Sequence, residues 1–157
     1  MKKIKLFLYK YLFFYMLESQ KYEWIGKSGR CKSHIRYHII FVTKYRRKCL
    51  DEIRQEVFDA FKYCTTKCHL KIHNMNIDKD HIHLLISFPV DYSISQTVNR
   101  MKQITTNYLY SNDKTYSWLK NFYWKKKRKL WTRGYFVSTL GQVSEEKVFE
   151  YIKNQGK

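Results

Sequence analysis

At 157 residues the chain is one domain of ordinary size, and with 44% hydrophobic and 18% aromatic residues it is too apolar to be disordered. Its 31 Lys and Arg against 13 Asp and Glu leave a net charge of +18, far more than solubility needs. With 14 Tyr, 10 Phe and 4 Trp available to stack on bases, the expected partner is nucleic acid rather than a membrane or a small-molecule substrate.

Taken in chain order, residues 1–30 are expected to be an N-terminal extension and residues 31–157 a single domain. MKKIKLFLYKYLFFYML is apolar and basic, but Lys5 and Lys10 interrupt it. It is shorter than the roughly 20 apolar residues a spanning helix needs. Met16 marks the start of an ordinary soluble pattern, so residues 1–15 are expected to contribute little to function.

HIRYHIIFVTKY (34–45) is β-branched and aromatic, with Ile35, Tyr37, Ile39 and Phe41 on one face; it predicts a first strand. Helical spacing of Ile53, Val57, Phe61 and Cys64 predicts a helix from Leu50 to Lys67, with Asp51 and Glu52 in its first turn. HLKIHNMNI (69–77) reads as a second strand with ragged alternation. HIHLLISF (81–88) is a third, closed by Pro89, the only proline. Ser93 to Tyr110 predicts a second helix. A polar, basic stretch over 111–130 carries Lys125, Lys126, Lys127, Arg128 and Lys129. Tyr135 to Leu140 predicts a fourth strand, Gly141 a break, and Glu145 to about Gln155 a terminal helix capped by Ser144. The order β-α-β-β-α-β predicts an α+β, ferredoxin-like or RRM-like antiparallel sheet with two long helices on one face.

Cys31, Cys49, Cys64 and Cys68 contain no Cys-x-x-Cys pair and show no disulfide framework, which fits reduced thiols in a cytoplasmic protein. Cys64, Cys68, His69 and His73 are too crowded together for a zinc finger. His81 and His83 are the more informative pair. Two residues apart on a strand, they point to the same side and can share a divalent cation. On the terminal helix Tyr151 and Gln155 stand one turn apart on one face. Gln155 has a carbonyl oxygen that can complete a metal site, and Tyr151 would then lie close to whatever the cation binds. A metal beside a tyrosine hydroxyl in so basic a protein suggests phosphoryl transfer. Lys147, one turn before Tyr151, is placed to lower its pKa or donate a hydrogen bond. Asp80 is a candidate to orient one of the histidines.

These residues carry a family resemblance. HIIFVTKYRRK, DKDHIHLLISFP, LWTRGYFVSTLG and YIKNQ, in that order over roughly residues 33–155, resemble blocks of the HUH nucleases. They are most similar to the single-tyrosine (TnpA-like) transposases of minimal bacterial insertion sequences. The resemblance implies Tyr151 as nucleophile, and His81, His83 and Gln155 as ligands of Mg²⁺ or Mn²⁺. It implies cleavage of single-stranded DNA through a 5′-phosphotyrosine, followed by rejoining. It also implies a homodimer that exchanges its tyrosine helices about Gly141, and recognition of DNA hairpins at the element ends. By analogy Lys44, Arg46, Arg47, Arg100 and Lys102 are expected to contact that DNA, with 125–129 touching phosphate. Three other readings follow from the same residues: a non-catalytic RRM-like single-strand binder, a replication initiator or relaxase of the same chemistry, and a membrane-surface protein anchored by residues 1–17.

Overall fold

Successive side chains of a strand point to opposite faces, and here that alternation turns one apolar set of the two central strands toward the helices. The computed structural model describes residues 35–123 and 128–140. Strand β1 (Arg36–Val42) buries Tyr37, Ile39 and Phe41 on one side. Strand β3 (His81–Ser87) buries Ile82, Leu84 and Ile86 on that same side. The two pair antiparallel, with Ile39 opposite Leu84 and Phe41 opposite Ile82. Strand β2 (Lys71–Ile77) flanks β3, and β4 (Phe136–Leu140) flanks β1, giving the antiparallel order β2-β3-β1-β4.

Helix α1 (Arg54–Cys68) joins β1 to β2, and α2 (Ile94–Ser111) joins β3 to β4. Val57, Ala60, Phe61 and Cys64 of α1 and Val98, Met101 and Leu109 of α2 form one buried cluster with the apolar strand faces. Both long helices therefore cover a single side of the sheet and leave the other for the histidines. Truncating a side chain as enclosed as Phe41 or Phe61 to alanine costs about 3–5 kcal/mol.

Three local departures from the sequence reading have physical causes. The helix expected from Leu50 begins at Arg54. Leu50 is instead tied by its backbone N–H to the Lys79 carbonyl at 3.0 Å, which anchors the segment to the β2–β3 turn with Leu50 and Ile53 buried and Asp51 and Glu52 exposed. The ragged alternation of β2 is a β-bulge between Ile72 and Asn74 that breaks the two-residue period at His73. The stretch 111–130, read only as polar and basic, contains a short helix α3 (Asp113–Leu119). Asn112 caps it, its side-chain oxygen accepting from the Lys114 and Thr115 N–H groups. Trp118 then donates its indole N–H to the Cys49 carbonyl at 2.8 Å. No helix among the described residues is long and apolar enough to cross a membrane. The expected extension 1–30 and terminal helix lie outside the described residues.

Candidate metal centre and nucleic-acid interface

The strand period that sends Ile82 and Leu84 into the core sends His81 and His83 to the opposite face, with ring centroids 5.1 Å apart and planes at 68°. Each ring is held at its Nδ1. His81 Nδ1 lies 2.7 Å from Asp80 Oδ1, and His83 Nδ1 lies 3.0 Å from Nε2 of His38 on β1. A hydrogen bond at one imidazole nitrogen orients the other, as is common for metal-binding histidines.

Asp80 is itself held. Arg46 Nε donates to its second oxygen at 3.0 Å. Arg46 ends a single 3-10 turn, Lys44–Arg46, in which Tyr45 (φ 61°) and Arg46 (φ 51°) both take the left-handed conformation. Each such non-glycine residue costs on the order of 1 kcal/mol. The turn is secured by Thr43, whose N–H donates to the Asp80 carbonyl at 2.8 Å, and whose hydroxyl donates to the Arg47 carbonyl at 2.8 Å. The strained turn thus puts a cation beside the carboxylate that holds His81.

The electrostatics suit ligation. Burial pushes His83 down to about 4, assisted by the neighbouring His38 and His81 and opposed by Asp78. Burial also lowers His38. Burial alone would raise Asp80, but hydrogen bonds from His81 and Arg46 and the Arg46 charge outweigh it and hold the carboxyl below its usual range. At neutral pH both His38 and His83 are uncharged, and His83 can offer a lone pair to a cation. An open cleft of about 490 Å³ lies over the pair, floored by Ile40 and Val42 and walled by Arg46, Thr132, Gly134 and Phe136.

Lys102 requires a correction. Expected among the DNA contacts, it is buried, and its ammonium donates to the Thr132, Arg133 and Gly134 carbonyls at 3.0, 3.0 and 2.8 Å. It also sits over the Phe41 and Tyr135 rings, 5.1 and 5.2 Å from their centroids. Its charge holds one wall of the cleft and does not face solvent. Arg46, Arg47, Arg100, Arg128 and Lys129 are exposed, and Lys44 is half-buried. Arg100 stands in the helical layer, beside Cys68 at the start of α2. Tyr151, Gln155, Lys125, Lys126 and Lys127 lie outside the described residues.

Sequence reasoning assigned His38 no role in the site, yet it meets His83. His38 shares a strand face with Ile40, which pairs with His83 across the β1–β3 ladder, a register that only the structure supplies. Cys64 and Cys68 lie in the core with sulfurs 3.6 Å apart, while His73 meets the Ser87 hydroxyl at 2.9 Å. Among the described residues no group of three His, Cys, Asp or Glu side chains could hold a metal. The described face supplies two imidazole nitrogens, which alone favour borderline ions; a harder ion such as Mg²⁺ or Mn²⁺ would need oxygen ligands beside them.

Residues 31–155 match the family described as "Transposase IS200 like". The chain belongs to that family. It is 34% identical over 122 residues to the transposase of insertion sequence IS200 from Salmonella typhimurium, covering 76% of each chain. It is 25% identical over 122 residues to the ISDra2 transposase TnpA of Deinococcus radiodurans, covering 77% of this chain and 84% of that one. A crystal structure of a protein from Deinococcus radiodurans R1 superposes with a TM-score of 0.62 at 27% identity, over 82% of this chain and 97% of its own. A REP-associated tyrosine transposase solved bound to a REP hairpin shares the fold, with a TM-score of 0.51 at 11% identity over 85% of this chain and 66% of its own. The fold described above is therefore that of a DNA-processing transposase.

Proposed function

We propose that this transposase cleaves and rejoins single-stranded DNA at insertion-sequence ends, with Tyr151 as nucleophile and His81, His83 and Gln155 as ligands of a divalent Mg or Mn ion. The observation that carries the reading is the pair of histidines on one sheet face, each ring anchored at Nδ1, beneath a cleft that Arg46 helps to line. When bound, the cation supplies Lewis-acid polarisation of the scissile phosphate. The chain's own groups do the rest. The Tyr151 oxygen attacks phosphorus as its proton departs, and the bond from phosphorus to the 3′ oxygen breaks. That oxygen takes the electron pair and a proton, leaving a free 3′-hydroxyl and a 5′-phosphotyrosine. Attack by another 3′-hydroxyl reverses the sequence and rejoins the strands, so no external energy source is needed. Lys147, four residues before Tyr151 in the sequence, is the group proposed to stabilise the developing phenolate.

The exposed Arg46, Arg47, Arg100, Arg128 and Lys129, with Lys44 and Lys125–Lys127, are the cations proposed to neutralise hairpin phosphates. Binding to a hairpin by a relative of the same fold supports that choice of substrate. The active species in this reading is a cytoplasmic homodimer whose terminal helices exchange about Gly141. A non-catalytic single-strand binder is the weaker reading, because the face that would have to stack bases carries His81 and His83 beside the one exposed ring of Phe136 in that cleft.

The experiment is to incubate the full chain with hairpin-bearing single-stranded DNA and Mn²⁺ and to resolve protein–DNA adducts under denaturing conditions. Tyr151→Phe and EDTA should each abolish the adduct while hairpin binding persists. A full yield of adduct from Tyr151→Phe refutes the mechanism.

A further inference from the structure

We infer that His38 is the positioning residue for His83, accepting its Nδ1–H and so fixing the tautomer that turns the Nε2 lone pair toward the metal. The inference rests on the proposed metal site. His38 Nε2 and His83 Nδ1 are 3.0 Å apart, in rings only 15° from parallel. The two residues are 7% and 4% exposed, so water does not compete strongly for either nitrogen. Both stand on the two central strands, where the ladder that places Ile40 opposite His83 and His38 opposite Leu85 fixes their diagonal spacing. The edge of Phe136 lies against His38, ring centroids 5.9 Å apart, and holds its plane.

The chemistry decides the direction of the bond. A neutral imidazole carries one proton, and a nitrogen that binds a metal must be the one without it. Were His38 to donate to His83 Nδ1, the His83 proton would sit on Nε2 and block ligation. With His83 donating, Nε2 is the basic nitrogen and the His38 proton lies on its own Nδ1. At His81 the same outcome is reached differently, because the Asp80 carboxylate can only accept and the Nδ1 must donate. The difference follows burial. Asp80 keeps 15% of its side chain exposed and is paired with Arg46, whereas a second carboxylate beside the enclosed His83 would be a costly buried charge. A neutral acceptor meets the requirement without that cost.

The test reads the tautomer directly. Long-range ¹H–¹⁵N NMR of the metal-free full chain should show His83 and His38 both protonated at Nδ1, a measurement that needs no variant. His38→Phe, which keeps the ring and removes the acceptor, should move the His83 proton to Nε2. It should also weaken Mn²⁺ binding in calorimetry by about 10–100-fold. His38→Gln restores an accepting oxygen and should recover both. A wild-type His83 protonated at Nε2, or a folded His38→Phe with unchanged Mn²⁺ affinity, overturns the inference while leaving the metal site standing. If His83→Ala itself leaves Mn²⁺ binding unchanged, the metal reading falls and takes this inference with it.

Discussion

Replacing Lys102 by methionine removes an ammonium while keeping a similar apolar stem between Phe41 and Tyr135. Three charge-assisted hydrogen bonds are lost, to the carbonyls of Thr132, Arg133 and Gly134. Each such bond contributes about 1.5–3 kcal/mol. Two effects offset the loss. Burial already pulls the ammonium down to about 8, so removing the buried charge returns about 3 kcal/mol. Arg133 and Gly134 are exposed, so water re-solvates their carbonyls once the ammonium has gone. The expected net loss is about 2 kcal/mol, or a fall in Tm of about 4–8 °C for a domain of this size. Thermal unfolding by circular dichroism measures it. Hairpin affinity against salt concentration should keep its wild-type slope, because an ammonium held by backbone carbonyls releases no counterion. A Tm within about 1 °C of wild type, or a slope reduced by about one, refutes the assignment and returns Lys102 to the DNA interface.

Acid should destabilise the fold through His83. Between the folded value of about 4 and the ordinary 6.5 the unfolded chain binds the extra proton, so this contribution is complete above 6.5 and fades as pH falls toward 4. In urea unfolding from pH 7 to pH 4.5, wild type should lose about 2 kcal/mol more than His83→Gln; equal losses would show that burial of this ring is not what acid opposes. Asp80→Asn removes the carboxylate that accepts from His81 and Arg46, and calorimetry should show Mn²⁺ affinity down by about 10–100-fold. An affinity equal to wild type would separate Asp80 from the metal site. Asn112→Ala deletes the α3 cap and should cost about 1 kcal/mol in chemical denaturation, with no change in DNA cleavage.

The elements legible in the sequence were those with an uninterrupted period. The alternation through Tyr37, Ile39 and Phe41, and again through Ile82, Leu84 and Ile86, located the two central strands and the face left for the histidines. The helical spacing of Val57, Phe61 and Cys64 located α1, but its start slid because Leu50 and Ile53 are buried by tertiary packing outside the helix. Helix α3 is too short for periodicity to register, and only its Asn112 cap with the apolar Trp118 and Leu119 announced it. Lys102 shows the limit of reading charge by residue type. A lysine on a basic helix looks like a phosphate contact until three carbonyls from a distant loop are seen to surround it. His38 was hidden for the same reason, since its partner lies 45 residues away and only the strand register joins them.

That register has a further consequence. A slip of one residue between β1 and β3 would bring His38 into the core, turn Phe41 out into water and separate the two rings together. A one-residue slip therefore cannot keep the hydrophobic layer and lose only the histidine contact. Damage to the pairing of these strands should therefore appear as fewer active molecules, each with normal metal affinity, rather than as a full population of weakened ones. Heat or denaturant should extinguish metal binding and tertiary structure in one shared transition.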